Sequence, residues 1–179
     1  MSKTQPRDAV LVLGIDPGTA TTGYGIVRFD GDALQAVTYG VITTASTLPL
    51  PRRLQQLYTE LLDLIHTHQP TDACVEQLFF ARNVRSALSV GHARGVILLA
   101  LADAGLDTHE YTPLQVKKAI VGYGRAGKEQ MQQMVRLLLS LESLPQPDDA
   151  ADALAVAICH AHSYSTRAQL ASAAQHQGE

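Results

Sequence analysis

The sequence predicts an α/β fold with a mixed five-stranded sheet flanked by helices. Residues 9–16 form an almost unbroken apolar run, as expected for a strand that is buried on both faces. Residues 23–29 alternate in polarity and precede a hairpin-turn signal at Asp30 and Gly31. After Pro51 the apolar residues recur at helical spacing. The chain therefore combines a strand meander with helices that can cover its faces.

Strands are expected first at residues 9–16, 23–29 and 34–42, as an antiparallel meander. The rest of the chain alternates helices with two further strands, and strands joined through helices favour right-handed parallel crossovers. The later elements are a helix from Pro51, a strand at 73–76, a helix from the candidate cap Asn83 to about 104, a strand at 109–112, a helix that follows a capping box at Thr112, a helix at 128–141, and a last helix from about Asp149.

Length and composition indicate one domain. A chain of 179 residues with 46% hydrophobic and 17% charged residues can build a full core. We expect a single domain at residues 9–166, between a disordered N-terminal extension at 1–8 and a disordered tail at 167–179. No apolar run reaches the roughly 18 residues of a membrane span, and the start lacks a signal-peptide pattern. Cys74 and Cys159 are predicted to be reduced core thiols, so a cytoplasmic protein is expected.

Basic residues are concentrated in the middle third of the chain. The net charge is -3, which argues mildly against a nucleic-acid partner. Residues 77–136, however, contain eight Lys or Arg and four Asp or Glu, a local charge of +4 that leaves -7 for the remainder. The asymmetry fits a nucleic-acid surface, but taken alone it favours the simpler explanation of an ordinary solvated surface.

Four carboxylates are predicted to meet at one edge of the sheet. Asp16 ends the first strand and Glu76 ends the fourth, and parallel neighbours bring their carboxyl ends together. Asp149 and Asp152 are three residues apart in an otherwise apolar helix, so they share one face. Each acid also has an ordinary explanation, as a turn residue or as part of a helix N-terminus, and we assign Asp148 only the latter role.

Four carboxylates at one point would repel each other strongly without a cation. Oxygen-only ligands suit Mg²⁺ or Mn²⁺ rather than zinc. We expect two ions per site, since ions about 3.5–4 Å apart can hold an in-line phosphoryl displacement from both sides. Asp16, from the central strand, is the best candidate to bridge them. The pattern thus predicts metal-dependent cleavage of phosphodiester bonds in nucleic acid.

Several segments resemble the RuvC family of Holliday junction resolvases. They are LGIDPGTATTGYGIV, VEQLFFARN, ARGV, QVKKAIVGYGRAGKEQM and DDAADALAVAI, and together they run from about Val10 to His162. The first motif alone is shared with many ribonuclease-H-like and actin-like proteins, whereas the whole set in this order is highly specific. The resemblance implies a ribonuclease-H-like nuclease domain and a homodimer that binds four-way junction DNA. It also implies paired nicks in recombination and repair, and a branch-migration helicase complex as partner.

The resemblance also assigns residues. The family's acidic tetrad matches Asp16, Glu76, Asp149 and Asp152. Its aromatic residue near the catalytic Glu matches Phe79, which we expect to stack on a junction base. Its basic catalytic residues match Lys117 and Lys128, which would contact phosphates and stabilise developing charge. Three further residues at a helix start form a natural phosphate site, namely Arg82, Asn83 and Arg85. The acidic net charge departs from the more basic family members.

Small residues recur every four positions on the second predicted helix. Ala87, Gly91 and Gly95 would let another backbone approach, either a second subunit or the protein's own sheet. The seven histidines show no zinc-type spacing, and we expect His160 and His162 to satisfy local hydrogen bonds.

Three other functions compete with that of a junction resolvase. An actin-like ATPase would need a second related domain, for which the chain is too short. A non-catalytic junction-binding protein would not require all four acids. A ribonuclease H acting on RNA–DNA hybrids would share the carboxylates, and only the segments beyond them favour a junction enzyme.

Overall fold

The computed structural model of the protein describes residues 9–77 and 84–176. The strands are β1 (Val10–Asp16), β2 (Thr21–Phe29), β3 (Leu34–Thr43), β4 (Asp72–Glu76) and β5 (Thr108–Tyr111). The helices are α1 (Leu50–His68), α2 (Val84–Asp103), α3 (Pro113–Val121), α4 (Lys128–Leu138) and α5 (Asp148–His176). The strands form one five-stranded sheet with the order β3-β2-β1-β4-β5.

The sheet has the mixed character that the sequence predicts. The β1–β2 and β2–β3 pairs are antiparallel, and the β1–β4 and β4–β5 pairs are parallel. The predicted element order is confirmed, and Thr112 forms the capping box with Gln115. The helix predicted to reach residue 141 ends at Leu138, because Ser140 has a left-handed backbone with φ 52°.

The alternation of side chains along the strands divides the core into two layers. Val10, Val12 and Cys74 point to one face of the sheet, which α3, α4 and α5 cover. We call this the α5 face. Leu13 and Ile15 point to the other face, which α1 and α2 cover and which we call the α1/α2 face. Asp16 and Glu76 fall in register with the residues of the α5 face.

Helix α5 is the longest element, and its backbone continues ten residues past position 166 to His176. The division into a domain at 9–166 and disordered ends at 1–8 and 167–179 stays a prediction. Cys74 and Cys159 are buried free thiols, as the sequence predicts. Among the described helices, none combines the length and the hydropathy that crossing a membrane requires.

Candidate active site

Asp16 and Glu76 lie side by side at the carboxyl ends of parallel strands. The register of β1 and β4 pairs Ile15 with Val75, so the next residue of each strand is one of the two acids. Both acids also belong to the α5 face. The predicted meeting of these two carboxylates at one sheet edge is therefore confirmed in its geometry.

Helix α5 brings the other two acids to the same edge because glycines in the strands beneath it leave room for its backbone. Gly23 pairs with Asp16 across β1 and β2, and a Cβ atom at Gly23 would overlap the backbone oxygen of Asp149. A Cβ atom at Gly14 would likewise overlap the backbone oxygen of Ala153. The first turns of α5 thus rest directly on the strand backbone. Sequence analysis missed these positioning residues, although glycine inside a strand is a sign of close backbone approach.

The electrostatics of the site are those of crowded carboxylates. Burial, and after it the charges of Glu76, Asp152 and Asp149, together raise the pKa of Asp16 to about 8, while Lys128 opposes the shift. Burial and then Asp152 raise the pKa of Glu76 to about 7, while Lys117 opposes the shift. Burial is also the main cause of a raised pKa at Asp152. Such a set of oxygen donors is stabilised by a divalent cation, so the residues fit Mg²⁺ or Mn²⁺.

A cavity of about 240 Å³ opens beside these acids. Glu76 and Asp152 line it together with both predicted lysines, Lys117 from α3 and Lys128 from α4. The Nζ atom of Lys128 lies 2.9 Å from Oδ2 of Asp148 and 3.8 Å from Oδ2 of Asp152. The structure therefore brings together the four acids and two lysines that the sequence singled out.

Asp148 does more than the helix-terminal role assigned to it from the sequence. Besides its ion pair with Lys128, its Oδ1 accepts a hydrogen bond of 2.7 Å from Nε2 of Gln132. These two contacts lower the pKa of Asp148, with the Lys128 contact contributing most. Asp148 thus ties α4 to the first turn of α5 and holds Lys128 at the cavity.

The remaining site predictions concern residues or side chains outside the described part of the chain. Phe79, Arg82 and Asn83 lie outside the described residues, so the cap role predicted for Asn83 also stays a prediction. Arg85 belongs to the backbone of α2, but its side chain is not among those described. The DNA contacts assigned to these residues stay predictions.

The structure bears on two further expectations, the packing of the α2 glycines and the hydrogen bonding of His160. Apart from neighbouring residues of α2 itself, no atom of the described residues lies within 4 Å of a Cβ built at Gly91 or Gly95, so these glycines do not pack against the protein's own sheet. His160 forms a hydrogen bond with a residue distant in sequence, because its Nδ1 lies 2.9 Å from the Tyr111 hydroxyl on β5. The histidine therefore takes part in a contact between α5 and the sheet.

The sheet order and the carboxylate cluster at its edge together define a nuclease of the ribonuclease-H-like class. The family model described as "Crossover junction endodeoxyribonuclease RuvC" matches residues 12–160. The chain therefore belongs to the RuvC family.

Individual relatives agree with this assignment. The RuvC protein of Heliobacterium modesticaldum is 59% identical over 154 residues, covering 86% of this chain and 95% of the relative. That of Chloroflexus aurantiacus is 58% identical over 154 residues, covering 86% and 94%. The solved T. thermophilus RuvC in complex with Holliday junction substrate has a TM-score of 0.84 at 36% identity, covering 88% and 96%. The yeast mitochondrial resolvase Ydc2, at 14% identity and a TM-score of 0.63, shares the fold.

Proposed function

We propose that this protein is a structure-selective endodeoxyribonuclease that resolves four-way (Holliday) DNA junctions in recombination and repair. It makes paired symmetric nicks by hydrolysis, leaving 5′-phosphate and 3′-hydroxyl ends. The observation that carries the proposal is the convergence of four carboxylates beside a lysine-lined cavity, in a RuvC-family chain. A relative with 36% identity has been solved with a Holliday junction substrate, which supports junction DNA as the partner.

We assign metal binding to Asp16, Glu76, Asp149 and Asp152. Nucleases of this family depend on divalent metal, and we propose two Mg²⁺ or Mn²⁺ ions per site. When bound, such ions supply activated water and stabilise the leaving 3′-oxygen. Asp16 would hold the ions from the centre of the cluster, because the charges of all three other acids act on it.

The lysines bind and orient the substrate phosphate. Lys117 and Lys128 border the cavity from different helices, so a phosphate placed beside Glu76 and Asp152 would meet positive charge from two directions. Asp148 keeps Lys128 from turning away into solvent, since the two side chains are 2.9 Å apart. The two lysines would thus neutralise charge that builds up on the phosphate during hydrolysis.

We further propose a homodimer that uses the outer face of α2. Gly91 and Gly95 are open toward solvent among the described residues, and Leu88 and Leu99 are 62% and 55% exposed. A second copy could approach the helix backbone closely there and bury these leucines. Two copies supply the two active sites that paired nicks need.

The other DNA contacts are proposals, drawn for Phe79 from the family pattern and for three polar residues from their place at a predicted helix start. Phe79 would stack on a base near the site, and Arg82, Asn83 and Arg85 would bind the phosphate backbone. A branch-migration helicase complex is the expected protein partner, and a bacterial-type cytoplasm is the expected compartment.

The decisive experiment compares a synthetic mobile four-way junction with a matched linear duplex and an RNA–DNA hybrid, in Mg²⁺, Mn²⁺ or EDTA. We expect metal-dependent paired nicks in the junction only. The Asp16→Asn variant should lose about 10³-fold or more in cleavage rate, while its junction binding and circular dichroism stay unchanged.

Other outcomes would revise the proposal in distinct ways. Cleavage of the hybrid alone would keep the acidic site and transfer the function to RNA removal. Junction binding without cleavage under every metal would instead favour a non-catalytic junction-binding protein. Full activity in the Asp16→Asn variant would overturn the metal-ligand assignment.

A further inference from the structure

A second group of metal-ligand side chains lies on the α5 face of the sheet, displaced from the four carboxylates toward the start of β4. Asp72 is the first residue of β4, His109 lies in β5 and His160 lies in α5. Among the described residues these three offer ligand atoms that all lie within 4.8 Å of one another. Asp72 and His109 are 37 positions apart in the sequence, and His109 and His160 are 51 apart. No local spacing motif therefore predicts the group.

The donor atoms already converge. Oδ1 of Asp72 lies 3.7 Å from Nε2 of His160 and 4.0 Å from Nε2 of His109. Ligands held about 2.0–2.1 Å from a tetrahedral ion are themselves roughly 3.3–3.5 Å apart. The two imidazole rings have centroids 4.5 Å apart. Small side-chain rotations would therefore bring all three donors to bonding distance of one ion.

Two of the three side chains are oriented by hydrogen-bond partners on the side away from the cluster. The Tyr111 hydroxyl lies 2.9 Å from Nδ1 of His160, which leaves the Nε2 atom directed at the cluster. The Thr71 hydroxyl donates to Oδ2 of Asp72 at 3.2 Å, which leaves Oδ1 facing both histidines. Metal-binding histidines and carboxylates commonly have such partners, which fix ring orientation and increase ligand basicity.

The cluster is both accessible and separate from the active site. The side chain of His109 is 33% exposed and that of Asp72 is 21% exposed, whereas His160 is buried. An ion can therefore enter from solvent and keep a water ligand. Asp72 and Glu76 stand at opposite ends of β4, about 13 Å apart at strand spacing. Asp152 and His160 are separated by about 12 Å along α5.

We propose that Asp72, His109 and His160 form a binding site for a single divalent transition-metal ion of the zinc type. Two imidazoles and one carboxylate suit zinc, whereas Mg²⁺ prefers oxygen ligands alone. The ion would join β4, β5 and α5 on the α5 face of the sheet, toward the start of β4. Because β4 and α5 also carry Glu76, Asp149 and Asp152, the ion stabilises the framework of the active site without entering it.

The test uses the full-length, metal-stripped protein, with excess Mg²⁺ present to occupy the carboxylate site. Zn²⁺ is titrated by calorimetry, and Co²⁺ replaces it for absorption spectroscopy. We expect one Zn²⁺ per chain, and a Tm increase of about 5–10 °C at a Zn²⁺ concentration 100-fold above Kd. The Co²⁺ spectrum should be that of mixed nitrogen and oxygen coordination.

The variants His109→Gln and Asp72→Asn should weaken Zn²⁺ binding by about 100-fold or more. Tyr111→Phe should weaken it by about 10–100-fold, because it removes only the supporting hydroxyl. His92→Gln is the matched control, since His92 is an exposed histidine on α2. Equal Zn²⁺ affinity in His109→Gln and His92→Gln would overturn the proposal, as would the absence of Zn²⁺ binding by the unsubstituted protein. Neither readout depends on DNA cleavage, so the result is independent of the proposed nuclease activity.

Discussion

The two faces of the sheet use glycine in opposite ways. On the α5 face, Gly14 and Gly23 lie in the strands, and their missing side chains let the α5 backbone rest on the sheet. On the α1/α2 face, large strand side chains such as Leu13 and Ile15 fill the space beneath the helices. There Gly91 and Gly95 lie in α2 itself and face outward. Strand glycines therefore position the proposed catalytic acids, whereas helix glycines leave a surface for a partner.

The faces also differ in electrostatic cost. On the α5 face, burial and neighbouring acids raise the pKa of Asp16 to about 8. On the side of α1 and α2, the exposed Asp103 has a partner, because its Oδ2 accepts a hydrogen bond of 2.6 Å from the Tyr58 hydroxyl. The active-site side thus gives up stability for function, and a cation or a substitution that removes charge should restore it.

The largest expected effect is on the pH-dependent stability of the metal-free protein. The pKa of Asp16 is about 8 in the folded state against 3.8 ordinarily, so its stability contribution is fully present below about pH 4 and lost as pH rises through 8. Asp16→Asn should therefore raise the Tm by about 5–10 °C at pH 9 and by little at pH 4, measured by scanning calorimetry.

Asp103→Asn serves as the control for this prediction on the other face, where we expect a slight decrease in Tm at both pH values. Added Mg²⁺ should reduce the advantage of Asp16→Asn, because the ion offsets the charge in the unsubstituted protein. A Tm difference that does not vary with pH would show that the charge of Asp16 does not destabilise the folded protein.

The second largest expected effect is on the cleavage rate, and it comes from a change in the position of the α5 acids. Gly23→Ala places a methyl group against the backbone of Asp149, so the start of α5 must move away from Asp16. A shift of about 1 Å at a catalytic group costs on the order of 100-fold in rate. Single-turnover cleavage of a junction should show this loss while circular dichroism remains that of a folded protein. Val37→Ala, at an exposed position of β3, is the control and should cleave within about twofold of the unsubstituted rate. Equal losses in both variants would show that the loss does not come from the position of α5.

The smallest effect concerns association. Gly91→Arg introduces bulk and charge on the open face of α2, where no described atom lies within 4 Å of a Cβ position. We expect the variant monomer to fold normally and the dimer to weaken by about tenfold or more, as measured by sedimentation equilibrium. Nicks should then become unpaired, since the two sites are no longer joined. An unchanged dimer would place the interface elsewhere.

The fold was largely predictable because its signals are local. The buried run of β1, the alternation of β2, the capping box at Thr112 and the proline before α1 each act over a few residues. The candidate acids were predictable too, because strand ends and helical spacing place them. The end of α4 was missed, since the left-handed backbone at Ser140 has no glycine to mark it.

The sequence by itself determined the element order and the mixed sheet. It also determined which four acids lie at one edge of that sheet. Tertiary structure alone decided how α5 sits on Gly14 and Gly23, how Asp148 holds Lys128, and how Asp72 meets two histidines from other elements. The physical reason is range. Periodicity and capping depend on neighbours along the chain, whereas backbone contact, ion pairing and ligand convergence depend on residues that only packing brings together.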